Sequence, residues 1–175
     1  VTGILHTKFK ITPLLSGILT MTALYSINLR IMGKANISLL RTRTIFTDFT
    51  SLPFLDKFGV LILSLLIVFV IGVLIYLFLQ TEFGLALRAT GDNQVMIESL
   101  GVNTDIMKNT GLALANGLIA LSGSLVAQNQ LFADISMGIG MLIIGLASVI
   151  IGEVLIGTSS IGRTVAAVLI GGVIY

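Results

Sequence analysis

Residues 81–108 read TEFGLALRATGDNQVMIESLGVNTDIMK, the longest polar interval of mixed charge in a 175-residue chain that is otherwise largely apolar. Uncharged runs flank this interval on both sides, at 58–81 and 109–133. Each run is long enough to cross a bilayer as a helix, because a helical residue adds about 1.5 Å and the hydrocarbon layer is roughly 30 Å thick. The sequence therefore predicts two membrane-spanning helices joined by a polar segment on one side of the membrane.

The composition of the whole chain agrees with a membrane protein. Apolar residues make up 55% of the chain and charged residues only 10%, and the mean hydropathy is +1.08. A soluble domain normally carries about a quarter charged residues. Because the apolar runs are continuous rather than alternating, we expect an all-α, polytopic transmembrane helical bundle surrounded by membrane lipid, and not a β-barrel. No basic patch with interleaved aromatic residues indicates nucleic acid as a partner.

The residue types that usually carry metal and thiol chemistry are scarce. Cysteine is absent, which excludes disulfides, thiol catalysis and thiolate metal sites. The single histidine, His6, cannot build a zinc site alone, so we predict no metal site and no cofactor bound by this chain.

The remaining apolar runs complete a single predicted membrane domain over residues 1–175. Further spans are expected at 11–29 and at 136–157, although the glycines in the latter run leave open two short pieces instead of one helix. The connector 35–57 is too polar to span, and residues 45–55 could form a short interfacial or re-entrant piece. The last run, 164–175, would extend only about 18 Å as a helix. We therefore expect a partial domain, truncated within a membrane helix.

The distribution of positive charge does not orient these helices. If the spans alternate, each side of the membrane carries five Lys or Arg residues, so the positive-inside rule gives no answer. One side holds Lys8, Lys10, Arg88, Lys108 and Arg163, and the other holds Arg30, Lys34, Arg41, Arg43 and Lys57.

The central polar segment has a motif of its own. It contains Leu87-Arg88-Ala89-Thr90-Gly91, then Asn93, then Leu100-Gly101-Val102-Asn103, and a glycine-rich run follows at 138–157. In this order the motifs resemble ABC importer permeases, and more narrowly the branched-chain amino acid and ribose-type permeases. The resemblance implies that 82–108 is a cytoplasmic segment that couples the permease to an ATPase.

The residue types suit that role. Gly84 and Gly91 allow the backbone to turn, Asp92 or Asn93 can cap a short helix over 94–100, and Gly101 can end it. Met96, Ile97 and Leu100 would form a small apolar face on this helix. The predicted ATPase-coupling residues are Arg88, Gly91, Asn93, Met96, Ile97, Glu98, Leu100 and Gly101. An ordinary solvated loop is the alternative that residue types alone leave open.

Several polar residues within apolar runs are candidates for a solute path. They are Asn28, Asn116, Gln128, Asn129 and Glu153. Hydrogen bonding between helices explains the amides equally well, and Glu153 can instead lie at a helix end near Arg163. Arg41, Arg43 and Asp48 are candidates for contact with a binding protein, with a solvated loop as the simpler interpretation.

The resemblance implies the permease subunit of an ABC-type importer, located in the plasma membrane as a multi-pass protein. Expected partners are a cytoplasmic ABC ATPase that binds ATP and Mg²⁺, a second permease copy or close relative, and an extracytoplasmic substrate-binding protein. The expected cargo is a small polar solute, an amino acid, moved by alternating access. The chain itself has no phosphate-binding loop and is not expected to be an enzyme.

Two other classes compete with this interpretation. An ion-coupled secondary transporter would use an intramembrane carboxylate such as Glu153 and would need no ATPase. A membrane enzyme is the second, but the sequence has no HExxH and no GxSxG motif.

Overall fold

The computed structural model describes residues 1–40, 42–46, 59–157 and 159–175. Its elements follow the order α1 (Thr2–Thr7), α2 (Pro13–Met32), β1 (Asn36–Ser38), α3 (Gly59–Gln80), α4 (Glu82–Asp92), α5 (Gln94–Ser99), α6 (Thr104–Gln130), β2 (Phe132–Asp134), α7 (Met141–Ile156) and α8 (Ile161–Ile174). Arg41, Asp48 and nearly all of the predicted interfacial piece at 45–55 lie outside the described residues. The predicted all-α transmembrane class is confirmed, with two short strands that the sequence did not indicate.

Three helices are long and apolar enough to cross a membrane among the residues that the structure describes. They are α2, α3 and α6, with 20, 22 and 27 residues. At about 1.5 Å per residue, even the shortest reaches roughly 30 Å, the thickness of the hydrocarbon layer. Large apolar side chains along these helices are exposed, as expected for surfaces that meet lipid or other membrane helices.

Two predicted boundaries differ from the structure. The span expected at 109–133 begins at Thr104, because the side chain of Asn103 accepts hydrogen bonds from the backbone N–H groups of Asp105 and Ile106 at 3.1 and 3.2 Å. This cap starts the helix before the last charged residues of the polar segment. The run at 136–157 forms one helix, α7, preceded by turns over 137–140, which resolves the choice that the sequence left open.

The chain divides into two compact units. In the first, α1 lies against both α2 and α6. Thr2 Oγ1 donates to Thr20 Oγ1 at 3.0 Å, and Asn109 Nδ2 donates to Thr7 Oγ1 at 3.1 Å. At the other end of the same two helices, β1 pairs antiparallel with β2, with Ile37 opposite Ala133.

The second unit contains α3, α7 and α8, and its tightest contact joins α7 to α8. A Cβ atom added at Gly152 would overlap the carbonyl oxygen of Ala167, and one added at Gly171 would overlap the carbonyl oxygen of Ser148. Ala167 is completely buried. The two glycines therefore allow the helix backbones to approach each other closely.

Candidate functional site

Residues 82–92 of the polar segment form a continuous helix, α4. The prediction that Gly91 turns the backbone is wrong, because Gly91 lies in the last turn of α4 and is not among the residues with positive φ. Arg88 lies on an exposed part of the same helix. The turn comes earlier, after α3, where a Cβ atom at Gly84 would overlap the backbone of Phe78 and Leu79. Gly84 is thus needed for the close approach of the first turn of α4 to the end of α3.

Asn93 caps the short helix α5, as one of the two predicted candidates. Its side-chain oxygen accepts a hydrogen bond from the backbone N–H of Met96 at 3.1 Å, and its own N–H donates to the carbonyl of Ala89 at 3.0 Å. An Asn cap satisfies a backbone donor that would otherwise have no partner in the first turn. Asn93 therefore joins the end of α4 to the start of α5.

Gly101 ends α5, as the sequence predicted. Its φ angle is +84°, in the left-handed region that favours glycine. The N–H of Gly101 donates to the carbonyl of Glu98 at 3.0 Å, and the N–H of Val102 donates to the carbonyl of Ile97 at 3.3 Å. These bonds close the last turn and direct the chain into α6 within three residues.

The predicted apolar face of α5 divides between the interior and the surface. Ile97 is buried, with 7% of its surface exposed, so it holds the helix in place. Met96 and Leu100 are 59% and 67% exposed, and Val95, which the prediction omitted, is 76% exposed. We call Val95, Met96 and Leu100 the apolar patch. Two of these large apolar side chains lie on the six-residue helix and the third, Leu100, is its C-cap, and together they form a surface suited to a groove on another protein.

A polar cluster connects α5 to the first turns of α6. Glu98 Oε1 accepts hydrogen bonds from Gln94 Nε2 at 2.8 Å and from Thr104 Oγ1 at 2.7 Å. Gln94 Oε1 accepts from Lys108 Nζ at 2.6 Å. We call Gln94, Glu98, Thr104 and Lys108 the polar cluster.

The polar cluster lowers the pKa of Glu98 below its usual value of 4.5. The hydrogen bonds from Gln94 and Thr104 stabilise the carboxylate most, burial opposes them to a smaller degree, and the nearby Lys108 charge adds the smallest stabilising effect. A depressed pKa means that the stabilisation of the folded state by Glu98 is fully present above about pH 4.5 and is lost as pH falls through the folded-state value.

We expect Gln94→Ala, and to a lesser degree Thr104→Val, to raise the pKa of Glu98 toward 4.5, because each removes a hydrogen bond to the carboxylate. The measurement is an NMR titration of the side-chain carboxyl carbon of Glu98 in the solubilised protein. A titration midpoint that is the same in the variants and the wild type would contradict the assigned hydrogen bonds.

Three predicted solute-path residues of the first unit, Asn28, Asn116 and Gln128, do not line a common cavity among the described residues. Asn116 lines a cavity of about 470 Å³ between α1, α2 and α6, beside Thr20 and Asn109, and its Nδ2 donates to the carbonyl of Leu112 at 2.7 Å. Asn28 is exposed on α2 and does not line this cavity, and neither does Gln128 near the end of α6. The residues of the path therefore stay a prediction.

Glu153 lies exposed in the last turn of α7. Arg163 donates through its guanidinium to Ser159 Oγ at 2.8 Å instead of to Glu153. Glu153 thus lies at a helix end, as the simpler interpretation expected. It does not form an ion pair with Arg163.

No metal site is found over the described part of the chain. There, no group of three or more His, Cys, Asp and Glu side chains is close enough to hold an ion. His6 Nδ1 lies 2.9 Å from the carbonyl oxygen of Ile11, and this hydrogen bond closes the turn between α1 and α2.

Sequence reasoning missed three members of the polar cluster, Gln94, Thr104 and Lys108. Their spacing contained a signal, because Gln94 and Glu98 are four residues apart, as are Thr104 and Lys108. Residues four apart lie on the same face of a helix, so each pair presents one polar side. The sequence did not show that the two polar sides meet across the turn at 100–103.

The family comparison and the relatives with assigned names agree on a family of transport system permeases. The family model described as the branched-chain amino acid transport system permease component matches residues 1–175. A tyrosine transport system permease protein of Clostridioides difficile (strain R20291) is 49% identical over 175 residues, which is 100% of this chain and 57% of the relative. The chain spans about half the length of the curated relatives it matches.

More distant relatives cover less of the chain. An uncharacterised protein of Rickettsia prowazekii (strain Madrid E) is 40% identical over 144 residues, 82% of this chain and 49% of the relative. An autoinducer 2 import system permease protein of Escherichia coli O9:H4 (strain HS) is 31% identical over 113 residues, 64% of this chain and 32% of the relative. No solved structure matches the chain.

Proposed function

Because this chain belongs to the family of branched-chain amino acid transport system permease components, we propose that it forms part of the permease subunit of an ABC-type importer. It is a multi-pass protein of the plasma membrane. The subunit pairs with a second permease copy or a close relative, and an extracytoplasmic binding protein delivers the solute. Two cytoplasmic ATPases hold ATP and Mg²⁺ and supply the energy.

The apolar patch on α5 is the observation that carries this proposal. Val95 and Met96 on α5 and its C-cap Leu100 are exposed, and the buried Ile97 fixes that helix against its own chain. A groove on the ATPase would cover the patch and remove its apolar surface from water. Two further residues of the predicted coupling set, Arg88 and Glu98, would lie around this contact.

Transport would follow from movement of α5. The chain connects α5 directly to α4 and α3 on one side and to α6 on the other. A nucleotide-dependent change in the ATPases that favours one position of α5 would favour one packing of these helices over another. Alternating access then needs only a difference in the affinity of the ATPases for the inward-open and outward-open states.

The proposed cargo is an amino acid, and more narrowly tyrosine. The Clostridioides difficile relative is named a tyrosine transport system permease and is 49% identical over the whole chain. An amino acid is also a small polar solute of the kind that the family description names.

The test is uptake of labelled tyrosine by cells that produce the full-length protein with its partner ATPase. Uptake is expected to stop when ATP is depleted and to persist when an ionophore collapses the ion gradients, and the ATPase is expected to co-purify with the permease. The opposite pattern, with loss of uptake in Glu153→Gln, would replace the proposal by the ion-coupled secondary transporter.

Proline at Gly91 is expected to reduce ATPase-dependent uptake by about tenfold or more. Proline inside a helix removes a backbone hydrogen bond and clashes with the preceding turn, at a cost of about 3 kcal/mol. The resulting kink in the last turn of α4 would displace α5. Gly91→Ala is the matched control, because nothing lies within 4 Å of the added Cβ atom. Equal uptake by the two variants would show that the path of α4 does not matter for coupling.

A further inference from the structure

We propose that the polar cluster is a latch that fixes α5 to α6, so that a displacement of α5 moves α6 with it. Gln94, Glu98, Thr104 and Lys108 are then positioning residues, since they lie beside the apolar patch and do not form it. This inference rests on the proposed function for its role in transport, but the fixing of α5 is a property of the chain alone.

The hydrogen bonds within the polar cluster connect α5 to α6 at several points. Lys108 binds the oxygen of the Gln94 amide, the nitrogen of the same amide binds Glu98, and Glu98 binds Thr104. Gln94 Nε2 also lies 3.3 Å from Thr104 Oγ1, which closes Gln94, Glu98 and Thr104 into a ring, with Lys108 attached to Gln94. Three bonds cross from α5 to α6, and the fourth orders the two α5 side chains for those bonds.

Thr104 is the member of the polar cluster that most strongly opposes separation of α5 from α6, because it is buried. Thr104 is 4% exposed, so its hydroxyl has little access to water if Glu98 moves away. A buried hydroxyl without a partner destabilises the protein, and a bond to a carboxylate is stronger than one between neutral groups. Separation of α5 from α6 is therefore opposed chiefly at Thr104, more than at the exposed Glu98.

The short length of α5 explains why a latch is needed. Isolated helices of fewer than about 12–15 residues are marginal in water, and α5 has six residues. Its orientation must come from contacts with the rest of the chain, namely the buried Ile97 and the polar cluster. Without the cluster, an ATPase that pulls on the apolar patch would rotate or unwind α5 and leave α6 in place.

The first experiment measures the fixing of α5 without any partner. Spin labels are attached to cysteines introduced at Val95 and Ile119, which are 76% and 67% exposed on α5 and α6, and residues 1–175 contain no other cysteine. The distribution of distances between the labels is expected to be at least twofold broader in Thr104→Val than in the wild-type background. Thr104→Ser, which keeps the hydroxyl, is expected to restore the narrow distribution.

A variant outside the cluster provides the matched control. Ser99→Ala removes a hydroxyl that bonds only the Met96 carbonyl of its own helix, at 2.6 Å, so the distribution is expected to stay narrow. If Thr104→Val does not fold, Gln94→Ala replaces it, because Gln94 is only half-buried. Distributions of equal width in the cluster variants and the control would overturn the latch.

The second experiment measures coupling in the full transporter with its ATPase. In Thr104→Val and Gln94→Ala we expect solute transported per ATP hydrolysed to fall three- to tenfold while the ATPase still co-purifies. An unchanged ratio together with broadened label distances would overturn the transmitting role. If wild-type uptake itself does not depend on ATP, the proposed function is wrong, and the label distances alone decide whether α5 is fixed to α6.

Discussion

Alanine at Gly152 or Gly171 is expected to lower the stability of the α7–α8 pair by about 1–3 kcal/mol, the usual cost of adding a methyl group to a close-packed contact. The added Cβ atom would meet a backbone carbonyl in each case, that of Ala167 or that of Ser148. Backbone atoms cannot rotate away as a side chain can, so the two helices must separate. Thermal unfolding of the detergent-solubilised protein is the measurement, with the folded yield as a second indicator.

The same chain provides matched controls for this prediction. Gly145 in α7 and Gly172 in α8 have nothing within 4 Å of an added Cβ atom. Alanine at these two positions is expected to be neutral or slightly stabilising, because alanine favours helices over glycine by about 1 kcal/mol. Equal melting temperatures for all four variants would show that the α7–α8 contact is not as close as described.

The double variant Met96→Asp, Leu100→Asp is expected to reduce co-purification of the ATPase and ATP-dependent uptake at least tenfold. Complete burial of a Met or Leu side chain contributes about 1.5–3 kcal/mol, and a factor of ten corresponds to about 1.4 kcal/mol. The change replaces that contribution by the cost of removing a carboxylate from water. The amount of protein in the membrane should be unchanged, because both side chains are already exposed.

Leu40→Asp is the control for the double variant. Leu40 is 74% exposed and follows β1, which pairs with β2 at the end of α6 opposite α5. Its replacement adds a carboxylate to an exposed apolar site without touching α5, so ATPase co-purification should be retained. Normal association of the ATPase with the Met96 and Leu100 double variant would place the docking surface elsewhere.

The membrane helices were predictable because hydrophobicity is a strong and local signal. The run of α3 is uncharged and rich in Leu, Ile, Val and Phe, and its end at Gln80 lies within one residue of the predicted end at residue 81. The cap at Asn93 and the stop at Gly101 were also predictable, since both depend on backbone conformations that few residue types support. At these two positions the residue type is enough to predict the backbone conformation.

Other features depend on contacts between distant residues. Gly91 was expected to turn the chain, but glycine costs a helix only about 1 kcal/mol, and the Leu, Ala and Arg residues around it favour α4. The strands β1 and β2 have three residues each and are almost a hundred residues apart, so no local pattern indicates their pairing. The polar cluster likewise depends on how the turn at 100–103 places α5 on α6.

The pairing of β1 with β2 affects how α6 can respond to force. Ile135 N donates to the carbonyl of Ala35 at 3.1 Å, and Leu39 N donates to the carbonyl of Leu131 at 2.8 Å, so the backbone itself joins the ends of α2 and α6. A tilt of α6 about that end would move its opposite end, where α1 and α5 contact it. Its 27 residues extend about 40 Å, and a tilt of about 5° moves the opposite end by about 3–4 Å. A shift of a few ångströms at α5 would therefore require only a small rotation of α6, and the end paired through β1 and β2 would stay almost still.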